Sequence, residues 1–141
     1  MWKTKFKKCI YTSPSGYKVY QNRWYRWLTF SGKEYQTLIN RRHPEKPELN
    51  YIAPMTLAMR TLPGSCCLLG IGGASALHLL KQQDAYDSIT AIDCSAEVIE
   101  IANKYFHLSK IPRLNIIEDT AEHFLQETKS QYKHLIIDIY Q

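Results

Sequence analysis

A glycine cluster and four acids are the groups through which this 141-residue chain could do chemistry. Gly70, Gly72, Gly73 and Ala74 follow the apolar run Cys66-Cys67-Leu68-Leu69. A buried strand that ends in a glycine turn and passes into a helix lets backbone approach a ligand closely, because glycine adopts dihedrals other residues avoid. At the carboxyl edge of a parallel sheet such a turn cradles a nucleoside or a phosphate, although the cluster alone also fits a plain tight turn. Asp93 stands 21 residues after Gly72 at the end of the next apolar run. From there a carboxylate accepts hydrogen bonds from two ribose hydroxyls; an acid that only caps the following helix is the alternative. The turn lacks the full Gly-x-Gly-x-x-Gly pattern, since position 75 is serine. Glu118 and Asp119 close a third apolar run, from which one acid could reach an adenine amino group. Asp138 is set in Ile-Ile-Asp-Ile, where an ionised carboxylate is costly unless it is paired or opens on a cleft. Acidic strand ends on one edge suit a cation: a sulfonium nucleoside, an amine, or both.

Holding these residues on one edge requires alternating strands and helices. Strands are expected over 66–70, 88–92, 113–117 and 134–139, with helices over 74–82, 121–127 and a third capped by Ser95 and running to Phe106. Such units pair in parallel with right-handed crossovers, so the fold class is α/β and residues 51–141 read as a partial Rossmann-like nucleoside-binding domain. Ending at Gln141, the sheet is expected to be an incomplete half of a doubly wound one. Leu135-Ile136-Ile137 would then need cover on one face, from further chain or another subunit. Upstream, Tyr51, Met55, Ala58, Met59 and Leu62 recur at helical spacing, with Pro54 tolerated in the first turn. Residues 1–50 read as a small antiparallel β-hairpin region and connector, with strands over 5–11, 17–20 and 24–30. Such a ribbon must pack on something to be stable.

Composition narrows the function. Residues 1–50 hold eleven Lys and Arg against three Glu, whereas residues 51–141 hold seven basic and ten acidic side chains. The basic ribbon, with Trp2, Trp24, Tyr25 and Trp27, could serve an anionic partner. Core or subunit contacts are the more common use of such aromatics, and nucleic acid is not the expected partner. His43, His78, His107, His123 and His134 form no metal-ligand spacing and no Cys-x-x-Cys occurs, so no metal is expected. Gly-x-Ser-x-Gly is absent, which disfavours a serine hydrolase. Cys9, Cys66, Cys67 and Cys94 suggest small core thiols rather than a disulfide framework. No membrane span and no secretory signal are read, and the cytoplasm is the expected location.

The runs Leu69-Gly70-Ile71-Gly72-Gly73-Ala74-Ser75, Ile89-Thr90-Ala91-Ile92-Asp93 and Val98 through Phe106 together resemble the polyamine aminopropyltransferase (spermidine synthase) family, especially its bacterial spermidine synthase-like branch. Arg26-Trp27-Leu28-Thr29-Phe30 and Gln36 extend the likeness upstream, and Tyr132 through Asp138 extend it downstream. The resemblance implies a class I methyltransferase-like domain behind a small β region. It implies transfer of aminopropyl from decarboxylated S-adenosylmethionine to putrescine, and a homo-oligomer joined through the amino-terminal strands. It assigns Gly70, Gly72 and Ala74 to the cofactor turn, with Gly73 between them, Asp93 to ribose, and Gln36 and Tyr51 to the substrate side. The family's acid after the third strand falls on Thr120 here, so Asp119, one residue early, is the candidate for the adenine contact. Asp138 matches the first acid of the family's catalytic Asp-x-x-Asp. Gln141 stands where the second is expected, and an amide cannot act as a general base near pH 7. The expectation is therefore binding of decarboxylated S-adenosylmethionine, S-adenosylmethionine or methylthioadenosine, with polyamine aminopropyl transfer impaired or absent. A small S-adenosylmethionine-dependent methyltransferase and a non-catalytic oligomeric interaction module are the alternatives.

Overall fold

Strand alternation early in the chain and strand–helix alternation later give two sheets of different kind in the computed structural model, which describes residues 2–31 and 34–139. The first is antiparallel, with β1 (Lys8–Thr12), β2 (Tyr17–Gln21), β3 (Tyr25–Phe30) and β4 (Glu34–Asn40) in sequential order. The fourth strand was not among those expected. Its polar residues Gln36 and Asn40 mask the β-favouring run Tyr35, Thr37, Leu38, Ile39, which is the signal that could have found it.

After the short helices α1 (Ile52–Met55) and α2 (Leu57–Thr61) comes the second sheet. It is built from β5 (Gly64–Leu69), α3 (Ser75–Gln82), β6 (Tyr86–Asp93), α4 (Ala96–Tyr105), β7 (Leu114–Glu118), α5 (Ala121–Glu127) and β8 (His134–Ile137). Its strands are parallel in the order β7-β6-β5-β8. The chain winds outward from β5 to β7, then returns to β5's other side, so a crevice opens beyond the carboxyl ends where the order reverses.

The single helix expected over 51–62 is broken at Thr56. Thr56 leaves helical geometry at φ −94° and ψ 1°, and its hydroxyl bonds back to Ile52 O at 2.9 Å. The break turns Leu62 outward, whereas Ile52 and Met59 stay buried. Helix α3 is buried at every residue from Ser75 to Leu80 because both its sides are covered. Leu77 and Leu80 pack with Leu68 and Ala91 of the sheet, and Ala76 and Leu79 pack with Ile52. Each such aliphatic side chain contributes roughly 1.5–3 kcal/mol when fully buried.

The amino-terminal sheet docks on the parallel unit. Val19, Leu28 and Ile39 pack on Ile101 and Phe106. Strand β4 also lies against the glycine turn: the Thr37 and Ser75 hydroxyls are 2.5 Å apart, and a Cβ on Gly73 would fall inside the Thr37 side chain. Trp27 is buried and stacks on Tyr20, so Trp2, Trp24, Tyr25 and Trp27 do not form one exposed platform. At the sheet's far edge Leu135 and Ile137 of β8 are exposed while Ile136 is buried. Cys66 and Cys67 are core thiols, and burial pushes the Cys66 pKa up to about 12. Cys9 and Cys94 are exposed, contrary to the core placement expected: Cys9 lies on edge strand β1 and Cys94 just past the end of β6. Among the described residues no helix is long and apolar enough to cross a membrane.

Candidate functional site

Three backbone hydrogen bonds carry the parallel pairing past the strand ends and bring the candidate residues to one edge. Gly70 N donates to Ile92 O at 2.7 Å, Asp119 N to Asp93 O at 3.1 Å, and Asp138 N to Leu69 O at 2.8 Å. Gly70 has φ +91°, and any Cβ there would overlap the Asp138 carbonyl group. Only glycine lets these two strand exits approach so closely.

Asp93 joins the turn to the next helix. Its Oδ2 accepts from Ile71 N at 2.9 Å and its Oδ1 from Ser95 N at 3.0 Å. Ser95, not Asp93, caps α4, with its hydroxyl accepting from Val98 N at 3.2 Å. A carboxylate has about four acceptor positions, so Asp93 keeps capacity for a ligand. Asp119 is more committed: its Oδ1 accepts from Thr120 N at 2.8 Å and its Oδ2 lies 2.7 Å from His123 Nδ1. That contact holds the Asp119 pKa below, and the His123 pKa above, its ordinary value. Asp138 has no side-chain partner among the described residues, and burial pushes its pKa up to about 6.

Gly70, Gly72, Asp93, Asp119, Asp138 and Gln36 line one cleft of about 620 Å³. Gly73, Ala74 and Tyr51 stand outside it. Gly73 faces Thr37, Ala74 is buried at φ 65° before α3, and Tyr51 packs beside Ile52 and Ala76. Gln141 lies outside the described residues. The structure adds Tyr17 and Phe30 from the amino-terminal sheet as a further wall. Burial is the largest cause raising the Tyr17 pKa; the negative charges of Asp93 and Glu97 also raise it, while a hydrogen bond with Ser95 lowers it. Sequence reasoning missed Tyr17 because a strand residue meeting a helix start so far along the chain leaves no local pattern.

Four carboxylates, those of Asp93, Asp119, Glu122 and Asp138, line the cleft, and among the described residues no Lys, Arg or His does. Such a lining repels phosphates and favours a cation. The cleft is thereby chemically suited to a cationic ligand rather than to one carrying phosphates.

No family model matches the chain. Over 93 residues it is 26% identical to a polyamine aminopropyltransferase of Saccharolobus solfataricus, an alignment covering 62% of this chain and 31% of that protein. A probable spermidine synthase structure from Corynebacterium glutamicum superposes with a TM-score of 0.74 at 16% identity, over 94% of this chain and 52% of that one. The fold of this chain is spermidine synthase-like. The spermidine synthase of Thermotoga maritima shares the fold at a TM-score of 0.66 and 19% identity, over 95% of this chain and 47% of that one. A spermidine synthase in complex with the transition state analogue AdoDATO gives a TM-score of 0.65 at 19% identity, over 93% and 47%. The chain thus spans about half the length of these solved relatives and about a third of the curated one. Both sheets, antiparallel then parallel, belong to that α/β fold.

Proposed function

We propose that this spermidine synthase-like chain binds the adenosyl part of S-adenosylmethionine-type nucleosides and does not itself transfer the aminopropyl group. The observation that carries the reading is Asp93, bonded to the glycine turn on the wall of an acid-lined cleft without basic side chains. In this reading Asp93 takes ribose hydroxyls, and Asp119 meets the adenine amino group once it releases His123. The carboxylate of Asp138, without a side-chain partner among the described residues, offsets the ligand's positive charge. Transfer further requires aligning an amine and removing a proton from it. Asp138 alone is left for that work, because the position of the family's second acid holds Gln141.

Titration calorimetry with 5′-methylthioadenosine and decarboxylated S-adenosylmethionine tests the reading. Binding with a Kd of about 10–500 μM is expected, in the range of ordinary substrate affinities. The chain is expected to form no spermidine from putrescine. Silence in calorimetry at about 5 mM nucleoside, where even a millimolar Kd is visible, would overturn the binding half. Turnover would overturn the other.

Asp138 makes the affinity depend on pH in one direction. Its pKa is raised to about 6, so between pH 7.5 and 5 it gains a proton and loses the charge that attracts a sulfonium. Affinity for decarboxylated S-adenosylmethionine is expected to fall about tenfold over that interval. Methylthioadenosine, an uncharged thioether, is expected to change little. Stability moves with the same group. A folded pKa above the unfolded one means the folded chain binds the extra proton, so stability falls as pH rises from about 4 to 6. Asp138→Asn should therefore raise stability at pH 7.5 by about 1–2 kcal/mol, after discounting for solvent at the cleft mouth, with no gain below about pH 4. Thermal melts at the two pH values check this; equal gains at both would show that Asp138 is not the titrating group.

A further inference from the structure

At the carboxyl end of α4, the end away from Ser95, a second cleft of about 400 Å³ is lined by Arg23, Arg26, Ile39, Arg41, Arg42 and His107. These are all four arginines of residues 1–50, and among the described residues no lysine or carboxylate lines the cleft. Two side-chain-supported turns place them. Asn22 Oδ1 accepts from Trp24 N and Tyr25 N at 3.0 and 2.8 Å, fixing the turn that carries Arg23. Asn40 Oδ1 accepts from Arg42 N and His43 N at 3.0 and 3.2 Å, fixing the exit from β4. The turns are tied together where Arg41 N donates to Trp24 O at 2.8 Å. Arg26 is anchored, with Nη1 donating to Tyr105 O at 2.6 Å and Nη2 to Gln21 Oε1 at 2.8 Å. Arg23 lies over the Trp24 ring, and the Arg42 guanidinium has no partner among the described residues.

The neighbours these groups feel are cationic. Burial and then the charge of Arg41 hold the Arg26 pKa below its ordinary value. Burial, Lys110 and Arg26 do the same to His107. Like charges gathered in a concave site without a counter-charge repel one another, and an anion resolves that repulsion. Guanidinium forks pair two oxygens of one phosphate at a time, which is why arginine rather than lysine suits such a site.

We propose that this cleft binds an oligophosphate anion, pyrophosphate or the di- or triphosphate of a nucleotide, apart from the nucleoside cleft. Adjacent phosphates match a cleft lined by four arginines, and the volume is that of a small-ligand pocket. Arg26 and Arg41 are held by backbone carbonyls (Arg41 Nη1 donates to Asn22 O at 2.9 Å), while Arg23 and Arg42 make no such bond among the described residues. A nucleic-acid strand would want a longer groove with several exposed stacking rings; Trp27 is buried, and the exposed Trp24 beside Arg23 offers a single ring.

The full chain and the variant Arg23→Gln/Arg42→Gln are titrated with sodium pyrophosphate, adenosine triphosphate, inorganic phosphate and a uridine 20-mer at about 50 mM salt, where screening is moderate. Neither replaced side chain anchors another element, so far-UV circular dichroism and methylthioadenosine binding should not change. Pyrophosphate is expected to bind with a Kd below about 1 mM, at least about tenfold tighter than phosphate, and the variant to weaken it about tenfold or more. Arg42→Lys keeps the charge and loses the fork, and should weaken binding by a smaller factor. Three results would overturn the proposal: no binding at about 10 mM pyrophosphate, equal affinity in the variant, or a 20-mer bound about a hundredfold tighter with a steep salt dependence. The last would assign the cluster to nucleic acid.

Discussion

Asp93→Asn is expected to lower affinity for methylthioadenosine about 100-fold, close to 2.8 kcal/mol. The wild-type carboxylate accepts from Ile71 N and from Ser95 N with different oxygens. An asparagine can serve one of those donors but turns its NH2 toward the other, so a backbone N–H at the turn or at the helix start loses its partner. The same substitution removes the charge that strengthens any bond from a ribose hydroxyl. Losing a backbone bond should also cost folding stability of about 1–3 kcal/mol. Calorimetry well below the variant's melting temperature separates the two effects. Affinity within threefold of wild type would remove Asp93 from the ribose site.

Gly70→Ala should be the most damaging single change to the fold, at about 3–5 kcal/mol. Two costs combine. At φ +91° an L side chain is strained, and the new Cβ would overlap the Asp138 carbonyl, whose own N–H is pinned to Leu69 O. Gly16→Ala is the control, because Gly16 has φ +97° and nothing lies within 4 Å of the place its Cβ would take. It should cost only the strain, about 1 kcal/mol. A drop in Tm of roughly 10 °C or more for Gly70→Ala, against a few degrees for Gly16→Ala, is expected from calorimetric scans. Equal losses would mean that the approach of the two strand exits is not what Gly70 permits.

The parallel unit was legible because its apolar runs and breakers are local. Cys66 to Leu69, then Gly70 to Ala74, then an α3 stripe of Leu77 and Leu80 announce strand, turn and helix without help from elsewhere. Five of the candidate site residues, Gly70, Gly72, Asp93, Asp119 and Asp138, share a cleft for the same reason: parallel pairing puts successive strand ends on one edge, and Gln36 joins them from β4 of the antiparallel sheet. What stayed hidden depends on distant partners. Strand β4 exists as the partner of β3, and its polar residues hide it when it is read alone. Tyr17 belongs to the cleft only because the amino-terminal sheet docks on α4, where Ser13 Oγ donates to Glu97 Oε2 at 2.9 Å. The break at Thr56 turned on a hydroxyl choosing a backbone carbonyl, a competition that apolar spacing does not register.

Contact between Thr37 and the glycine turn has a consequence for anyone who would move this site. Taken from residue 51 onward, the parallel-sheet part would leave Gly73 and Ser75 without the strand that covers them. The smallest portable unit therefore includes the amino-terminal sheet. A graft, a circular permutation or a split of this scaffold has to keep residues 34–40 in register with residues 70–75, or it carries away a turn with one wall missing.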